Sequence, residues 1–311
     1  ALFRIEITSS TTRDVQHSAW ATSQALEFLD PKDALYMCLN KRGHASLMPP
    51  TILLPWDFSS VEQLGELPEC LMPSTSNVCM LKAALGSGGY GLYFVDTIED
   101  VLGIAKNHAA KATQVPNFVS NLKRDYEEVP SWSLQYLVPS MRVSDGRKCQ
   151  FRSYVVVSGK MMYFYRTIEA RIVCWETSAT SSSEMRPDEE AFCAGTSARP
   201  YNQGRMKVRT DRVLIDEIDT LKRGEAALTE CTTAAFKAVR PDIEARMESS
   251  DDTSLGGTRM AVAGVDLLLD ANYNAYIVEI NNNPAMPAES KRMSAAYRRH
   301  LKILVADMIK L

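Results

Sequence analysis

The sequence predicts an α+β fold in which antiparallel hairpins are interspersed with helices. Two strand pairs carry this prediction, 151–157 with 161–173 and 260–270 with 275–281, each joined by a short turn. Helical spacing is found in three further segments, at 97–112, 216–249 and 289–311. Hairpins and helices without a regular strand–helix repeat are typical of α+β or mixed α/β proteins.

The other elements follow in chain order. Short apolar runs predict four more strands, at 48–55, 76–84, 92–96 and 132–138. Thr97 and Asp100 have the spacing of a helix N-cap, ahead of VLGIAKNHAAKA. The polar segment 176–210 is predicted to be exposed, and the final helix is expected from about residue 289. Residues 1–75 contain no motif that indicates a function.

Composition excludes several classes of protein. The net charge of −3 gives no overall basic field for nucleic acid, and no apolar run reaches the roughly 20 residues that span a bilayer. Seven cysteines without CxxC spacing indicate reduced thiols in a cytosolic protein, and four scattered histidines disfavour a histidine metal site or triad. No secretory signal pattern opens the chain, and because it starts at Ala1 without a methionine, a missing true N-terminus is one expectation.

The second hairpin predicts a metal site. If the loop is 271–274, Asp270 faces Ala275, and the same register places Asp266 directly opposite Glu279, with Asn281 on the same face. Opposed carboxylates repel, and two carboxylates with an amide oxygen suit Mg²⁺ completed by water and phosphate. The alternative is a sheet edge with solvated acids, which the apolar flanks VDLLL and IVEI disfavour.

The segment GSGGYG (86–91) predicts a phosphate-binding loop, since glycines allow backbone N–H groups to approach phosphate oxygens. Lys82 lies just before it and adds a positive charge. An ordinary hairpin turn is the alternative. The loop is neither a P-loop nor a dinucleotide-binding motif, because no G-K-[ST] follows and the next element is a strand.

Together, these features resemble the tubulin tyrosine ligase-like family of ATP-grasp enzymes. The resemblance rests on LKAALGSGGYGLYFV (81–95), LQYLVPSM (134–141), GRKCQFRSYVVV (146–157), YRTIEARI (165–172) and GVDLLLDANYNAYIVEINNNPAM (264–286). It implies an ATP-grasp fold, with two α+β lobes and the nucleotide between them. The implied division is an N-terminal lobe at 1–75, a central lobe at 76–138 and a C-terminal lobe with the metal site at 139–311.

The resemblance also assigns roles to single residues. It implies that Mg²⁺ is bound by Asp266, Glu279 and Asn281. It implies catalytic roles beside the phosphates and the acceptor for Lys148, Arg152 and Arg171. It implies ATP contacts from Lys82, Gly86, Ser87, Gly88, Gly89, Tyr90, Gly91, Gln135, Leu137, Lys148 and Asn202. Of these, Gln135 and Leu137 lie in the implied hinge strand, whose backbone groups meet the adenine.

Two positions depart from the family pattern. Gln150 stands where the family has an acid, in KCQFR, and Ala83 follows Lys82 where proline is usual. An acid at position 150 could position the incoming amine or a second metal, so its absence bears on substrate and activity.

The implied function is ATP-dependent joining of a carboxylate to an amine through an acyl phosphate. The expected partners are an acidic peptide or protein acceptor, such as a tubulin tail, and an amino acid, in the cytoplasm and on the cytoskeleton. The basic run Arg205, Lys207, Arg209 and Arg212 is a candidate docking stripe for such an acceptor. The alternatives are a small-molecule ATP-grasp ligase, an ATP-grasp kinase and a non-catalytic nucleotide-binding module. No nucleic acid or membrane partner is expected.

Overall fold

A computed structural model describes most of the chain. The described residues are 24–56, 58–74, 77–84, 92–114, 131–144, 146–158, 161–174, 209–249, 260–282, 284 and 293–310. They form ten strands: β1 Thr51–Pro55, β2 Cys79–Ala83, β3 Leu92–Val95, β4 Ser131–Tyr136, β5 Cys149–Ser158, β6 Met161–Phe164, β7 Glu169–Cys174, β8 Arg209–Leu214, β9 Met260–Leu269 and β10 Ala275–Asn282. The α-helices in this part are α1 Lys32–Lys41, α2 Ile98–Gln114, α3 Asp219–Lys222, α4 Glu225–Ser249 and α5 Ala295–Lys310.

Strands β1 to β4 form a small antiparallel sheet in the order β1-β4-β2-β3. Its β-branched and aromatic residues bury one face, where Leu81 and Trp132 are fully buried beside Val101 of α2. The rings of Trp56 and Trp132 stack with their centroids 4.9 Å apart. This packing fixes β4, the predicted hinge strand, next to β2 and its Lys82.

The larger sheet is also antiparallel and runs β10-β9-β5-β7-β8, with β6 paired to β5. Alternate residues of β5, β9 and β10, among them Phe151, Leu267 and Ile277, point to an apolar core. Helix α4 covers that core with a row that includes Phe236 and Val239. The opposite face of the same strands is therefore free to carry polar side chains.

The structure confirms the mixture of helices with antiparallel sheets and corrects several elements. The predicted strand 161–173 is two strands, because the extended conformation is interrupted between Phe164 and Glu169. Strand β8 occupies 209–214, at the end of the segment predicted to be exposed. The last helix begins at Ala295 rather than near 289. Helix α1 was not predicted, although Leu35 and Leu39 are buried on one of its faces.

No helix among the described residues combines the length and apolar character that crossing a bilayer requires.

Candidate active site

A row of charged side chains crosses four neighbouring strands of the large sheet. Glu279 on β10 pairs in register with Asp266 on β9, Asp266 pairs with Arg152 on β5, and Arg152 pairs with Glu169 on β7. Because directly paired residues point to the same face of a sheet, the four side chains lie together. This face is opposite the apolar core, because successive side chains of a strand point alternately to the core and to the charged face.

Asp266 has charged or polar contacts on several sides. It is 2% exposed, and Arg152 donates to it twice, from Nε to Oδ1 at 2.7 Å and from Nη2 to Oδ2 at 2.7 Å. Asn281 donates from Nδ2 to Oδ2 at 3.2 Å, and Arg171 Nη1 lies 3.6 Å from Oδ1. Such a two-point guanidinium–carboxylate contact fixes both side chains.

The predicted pairing of Asp266 with Glu279 is confirmed, but the route to it is different. Ala275 pairs with Leu269 rather than with Asp270, and a bulge between Ile277 and Glu279 restores the expected partner. The bulge allows Ile277 and Ile280, three residues apart, both to be fully buried. It therefore directs Glu279 to the polar face.

Asp270 closes the hairpin loop by bonding to Asn274 rather than by pairing with Ala275. Its Oδ1 accepts backbone N–H groups of Asn272 and Asn274, each at 2.8 Å. Tyr273 lies within this turn with φ of 64°. The predicted facing of Asp270 and Ala275 is thus wrong, because local side-chain acceptance makes a longer loop.

Two buried lysines approach Glu279 from outside the large sheet. Lys82 on β2 is 2% exposed and donates to Gln135 Oε1, while Gln135 Nε2 donates to Thr51 Oγ1 at 2.9 Å. Lys32 at the start of α1 is 5% exposed, and its Nζ lies 3.9 Å from Glu279 Oε2. The backbone N–H of Lys32 also donates to Ala84 O at 3.2 Å, which ties α1 to the end of β2.

These groups change each other's proton affinity. Burial, with the nearby charge of Lys32, lowers the pKa of Lys82 to about 7, against the raising effect of Glu279. Burial and the facing Asp266 carboxylate raise the pKa of Glu279, against the lowering effect of Lys32 and Lys82. Strong mutual perturbation of buried charges is typical of functional sites.

Sequence reasoning missed Lys32, which belongs to the unread N-terminal region. A signal was present: Lys32 lies three and seven residues before Leu35 and Leu39, so it shares their helix face. A lysine on the buried stripe of a helix needs a partner, and here Glu279 is that partner.

Glu169 organises the far end of the row. It is fully buried, and its Oε1 accepts both Arg171 Nε and Arg212 Nη1 at 2.8 Å, while Tyr154 donates its hydroxyl to Oε2 at 3.3 Å. Burial alone would raise the pKa of Glu169, but the Arg171 and Arg212 guanidinium groups outweigh it and lower the pKa to about 2. Glu169 and Arg212 were not predicted as members of the site, and Arg212 was assigned to the docking stripe instead.

Lys148 and Gln150 are buried at the start of β5, on the same side as Arg152 by the strand's alternation. Gln150 pairs in register with Arg171. Its Oε1 is buried and, within the described structure, accepts no hydrogen bond. A buried acceptor without a donor is destabilising, so this oxygen is a candidate contact for a ligand N–H or O–H group.

The other predicted residues are distributed as follows. Leu137 lies just beyond β4 and is half-buried. Gln135 serves the site through its side chain, by accepting from Lys82. The glycine loop 86–91, Asn202 and the basic residues at 205 and 207 lie outside the described residues.

The chemistry of the donors fits Mg²⁺ at the Asp266–Glu279 pair. The two carboxylates face each other, and Asn281 contacts Asp266 through its amide nitrogen, which leaves its amide oxygen for a cation. The raised pKa of Glu279 shows that the ionised pair is electrostatically disfavoured without added positive charge. Within the described residues, no group of three acidic, histidine or cysteine side chains has metal-binding geometry, so phosphate and water would complete the shell.

Comparison with known proteins gives one match. The model of the Tubulin-tyrosine ligase family matches residues 23–310, nearly the whole chain. No curated protein matches the sequence.

Proposed function

The chain belongs to the tubulin-tyrosine ligase family, and from this premise we propose that it is an ATP-dependent carboxylate–amine ligase with an ATP-grasp fold. One observation supports the proposal most strongly. Positively charged side chains from both sheets and from α1, most of them buried, converge on one face of the large sheet: Lys32, Lys82, Lys148, Arg152, Arg171 and Arg212. Glu169, Asp266 and Glu279 lie among them. Such a cluster of cations favours an anionic ligand, and a nucleotide triphosphate would supply it.

The nucleotide phosphates would lie against Lys82 and Lys32, under the glycine loop 86–91. Asp266, Glu279 and Asn281 would hold Mg²⁺, which when bound neutralises charge on the phosphates. The hinge strand would place Gln135 and Leu137 beside the base. Asn202 is a further nucleotide contact by resemblance.

The reaction needs no protein nucleophile. A substrate carboxylate attacks the γ-phosphorus of ATP, the bond to the β-phosphate oxygen breaks, and ADP leaves. An amine then attacks the acyl phosphate, loses a proton and displaces inorganic phosphate, which leaves an amide. Arg152 and Arg171, fixed by Asp266 and Glu169, would stabilise charge on the transferring phosphoryl group. Lys148 would add positive charge beside them.

We propose an acidic peptide or protein, such as a tubulin tail, as the acceptor and an amino acid as the amine, in the cytoplasm and at the cytoskeleton. A small-molecule ligase and an ATP-grasp kinase use the same phosphate site. Gln150 favours one other candidate, a nucleotide-binding module without turnover, because a neutral amide stands where an acid is usual in the family.

Phosphate release separates these functions. A ligase releases phosphate only when MgATP, a carboxylate and an amine are all present, and mass spectrometry then finds an acceptor heavier by one residue. A kinase leaves phosphate on its product. Stabilisation by MgATP without turnover, over a panel of tubulin-tail peptides and all amino acids, would refute the ligase and favour the binding module.

A further inference from the structure

Arg212 occupies an unusual position in the site. It pairs in register with Arg171 across β7 and β8, so two guanidinium groups lie side by side on the same face. Both donate to the same oxygen of Glu169, at 2.8 Å. The backbone of Arg212 is also fixed by a hydrogen bond, in which Ser294 N donates to Arg212 O at 3.0 Å.

Glu169 is the carboxylate that the two guanidinium groups share. Glu169 is ionised at all relevant pH, because its pKa is lowered to about 2, and it contributes one negative charge against two positive ones. Arg171 is almost completely buried and reaches on to Asp266 at 3.6 Å, whereas the Arg212 side chain remains 24% exposed. Glu169 accepts from Nη1 of Arg212, and a guanidinium group has five N–H donors. The outer edge of Arg212 is therefore accessible to a ligand.

The place of Arg212 in the sheet indicates which ligand it meets. Lys32 contacts Glu279 on β10 at one edge, and Arg212 is on β8 at the other edge, four strands away. At about 4.8 Å between strands, the two ends are roughly 19 Å apart. In-line displacement requires the attacking carboxylate on the side of the γ-phosphate opposite the leaving ADP. A group beyond Arg171, away from the lysines, is on that side.

We propose that Arg212 binds the carboxylate of the acceptor substrate, beside Arg171. The assignment rests on the proposed ligase function and gives it a specific acceptor contact. A planar guanidinium fork matches a carboxylate in two-point geometry, which a lysine ammonium cannot reproduce. Glu169 holds the fork at this place and stays ionised.

The test measures binding of a fluorescein-labelled hexaglutamate peptide to the full chain, with Mg²⁺ and a non-hydrolysable β,γ-imido ATP analogue present. Arg212→Gln should weaken peptide binding by about 10–100-fold, the range of a lost charged hydrogen-bond pair. Arg212→Lys, which keeps the charge and the contact to Glu169, should give an intermediate loss. The affinity of both variants for the ATP analogue should differ from that of the wild type by less than about twofold, as expected for a site that does not contact the nucleotide.

The matched control is Arg147→Gln. Arg147 pairs with Asp211 at 3.0 Å, and Asp211 is the neighbour of Arg212 on the opposite face of β8. This variant removes another partly exposed arginine that contacts β8, but from the opposite face, so it should bind both peptide and nucleotide like the wild type.

Each other outcome rejects the assignment. The assignment is overturned if Arg212→Gln binds the peptide normally, or if it loses peptide and nucleotide binding equally. It is also overturned if the wild type binds the nucleotide but not the peptide. Failure of the wild type to bind the ATP analogue would instead refute the proposed function itself. Thermal unfolding of each variant confirms that the comparison is between folded proteins.

Discussion

Replacing Lys82 by methionine should stabilise the ligand-free protein while it weakens nucleotide binding. Lys82 is 2% exposed and donates to Gln135 Oε1. Burial, reinforced by Lys32, lowers its pKa from 10.5 to about 7, although Glu279 acts in the other direction. The fold therefore disfavours the charged lysine, which the unfolded chain accommodates freely.

The magnitude follows from the linkage of protonation to folding. A pKa difference of about 3.5 corresponds to roughly 5 kcal/mol of destabilisation, of which about 4 kcal/mol is present at pH 7. Methionine removes this term with a side chain of similar length. It also leaves Gln135 Oε1 without its donor, which costs about 1–3 kcal/mol. We expect Lys82→Met to raise the free energy of unfolding by about 2 kcal/mol at pH 7.

The difference should depend on pH in a defined direction. Because the folded pKa lies below the unfolded one, the destabilisation is complete below about pH 7 and fades toward pH 10.5. The wild type should therefore gain about 2 kcal/mol relative to the variant between pH 7 and pH 9. The two proteins should be nearly equal in stability at pH 9.

Urea denaturation at pH 7 and pH 9, with linear extrapolation, measures both free energies. Lys106→Met is the control, since Lys106 is exposed on α2 and its removal should change stability by less than about 0.5 kcal/mol at either pH. A Lys82→Met protein that is less stable than the wild type at pH 7, or a gap that is equal at the two pH values, would contradict the reasoning.

Three further variants test other contacts of the site. Glu279→Gln should abolish turnover in steady-state assays by removing a proposed Mg²⁺ ligand. It should leave ligand-free stability at pH 7 level or higher in urea, because burial raises the pKa of Glu279 and the fold therefore disfavours its charge. Gly264→Ala should lower the free energy of unfolding by about 1–3 kcal/mol, since the new Cβ would lie 2.7 Å from Pro284 Cβ and 3.4 Å from Arg152 Nε. Gln150→Leu should be neutral or stabilising by up to about 1 kcal/mol in urea denaturation, because the amide oxygen that it removes accepts no hydrogen bond from the described residues.

The hairpin of β9 and β10 was predictable because its alternation is strong and its turn is short. Counting across the loop identified the Asp266–Glu279 pair, and the structure confirms the pair through a bulge that the count did not include. The count succeeded since the longer loop at Asp270 and the bulge before Glu279 displace the register in compensating directions. Sequence periodicity contains no signal for either displacement.

The contributions of Glu169 and Arg212 were not predictable from local pattern, and the pattern around Lys32 indicated a buried lysine but not its partner. Each depends on a contact between residues far apart in the sequence, Lys32 with Glu279 and Glu169 with Arg212. Arg212 lies on β8, which was not predicted as a strand because it begins within the polar segment 176–210. Strand β8 is RTDRVL, in which charged residues interrupt the apolar alternation. Asp211 and Arg212 have charged partners on other elements, so the weak strand propensity of this segment is overridden by tertiary contacts.

The register of the large sheet explains where ligands belong. Most charged neighbours in it have opposite signs: Asp266 pairs with Arg152, and Arg152 pairs with Glu169. Like charges are paired at two places, the acids Glu279 and Asp266 on β10 and β9, and the arginines Arg171 and Arg212 on β7 and β8. Directly opposed like charges destabilise a sheet.

A ligand of the opposite sign would relieve each like-charged pair. A cation between the acids would remove their repulsion, and an anion against the arginines would remove theirs, so the free energy lost in the ligand-free fold would be returned on binding. Strand β5, which carries Arg152, lies between the two pairs and would keep the cation and the anion from sharing a position. A phosphoryl group between them would meet Mg²⁺ on one side and the acceptor carboxylate on the other, which is the arrangement that transfer to a carboxylate requires.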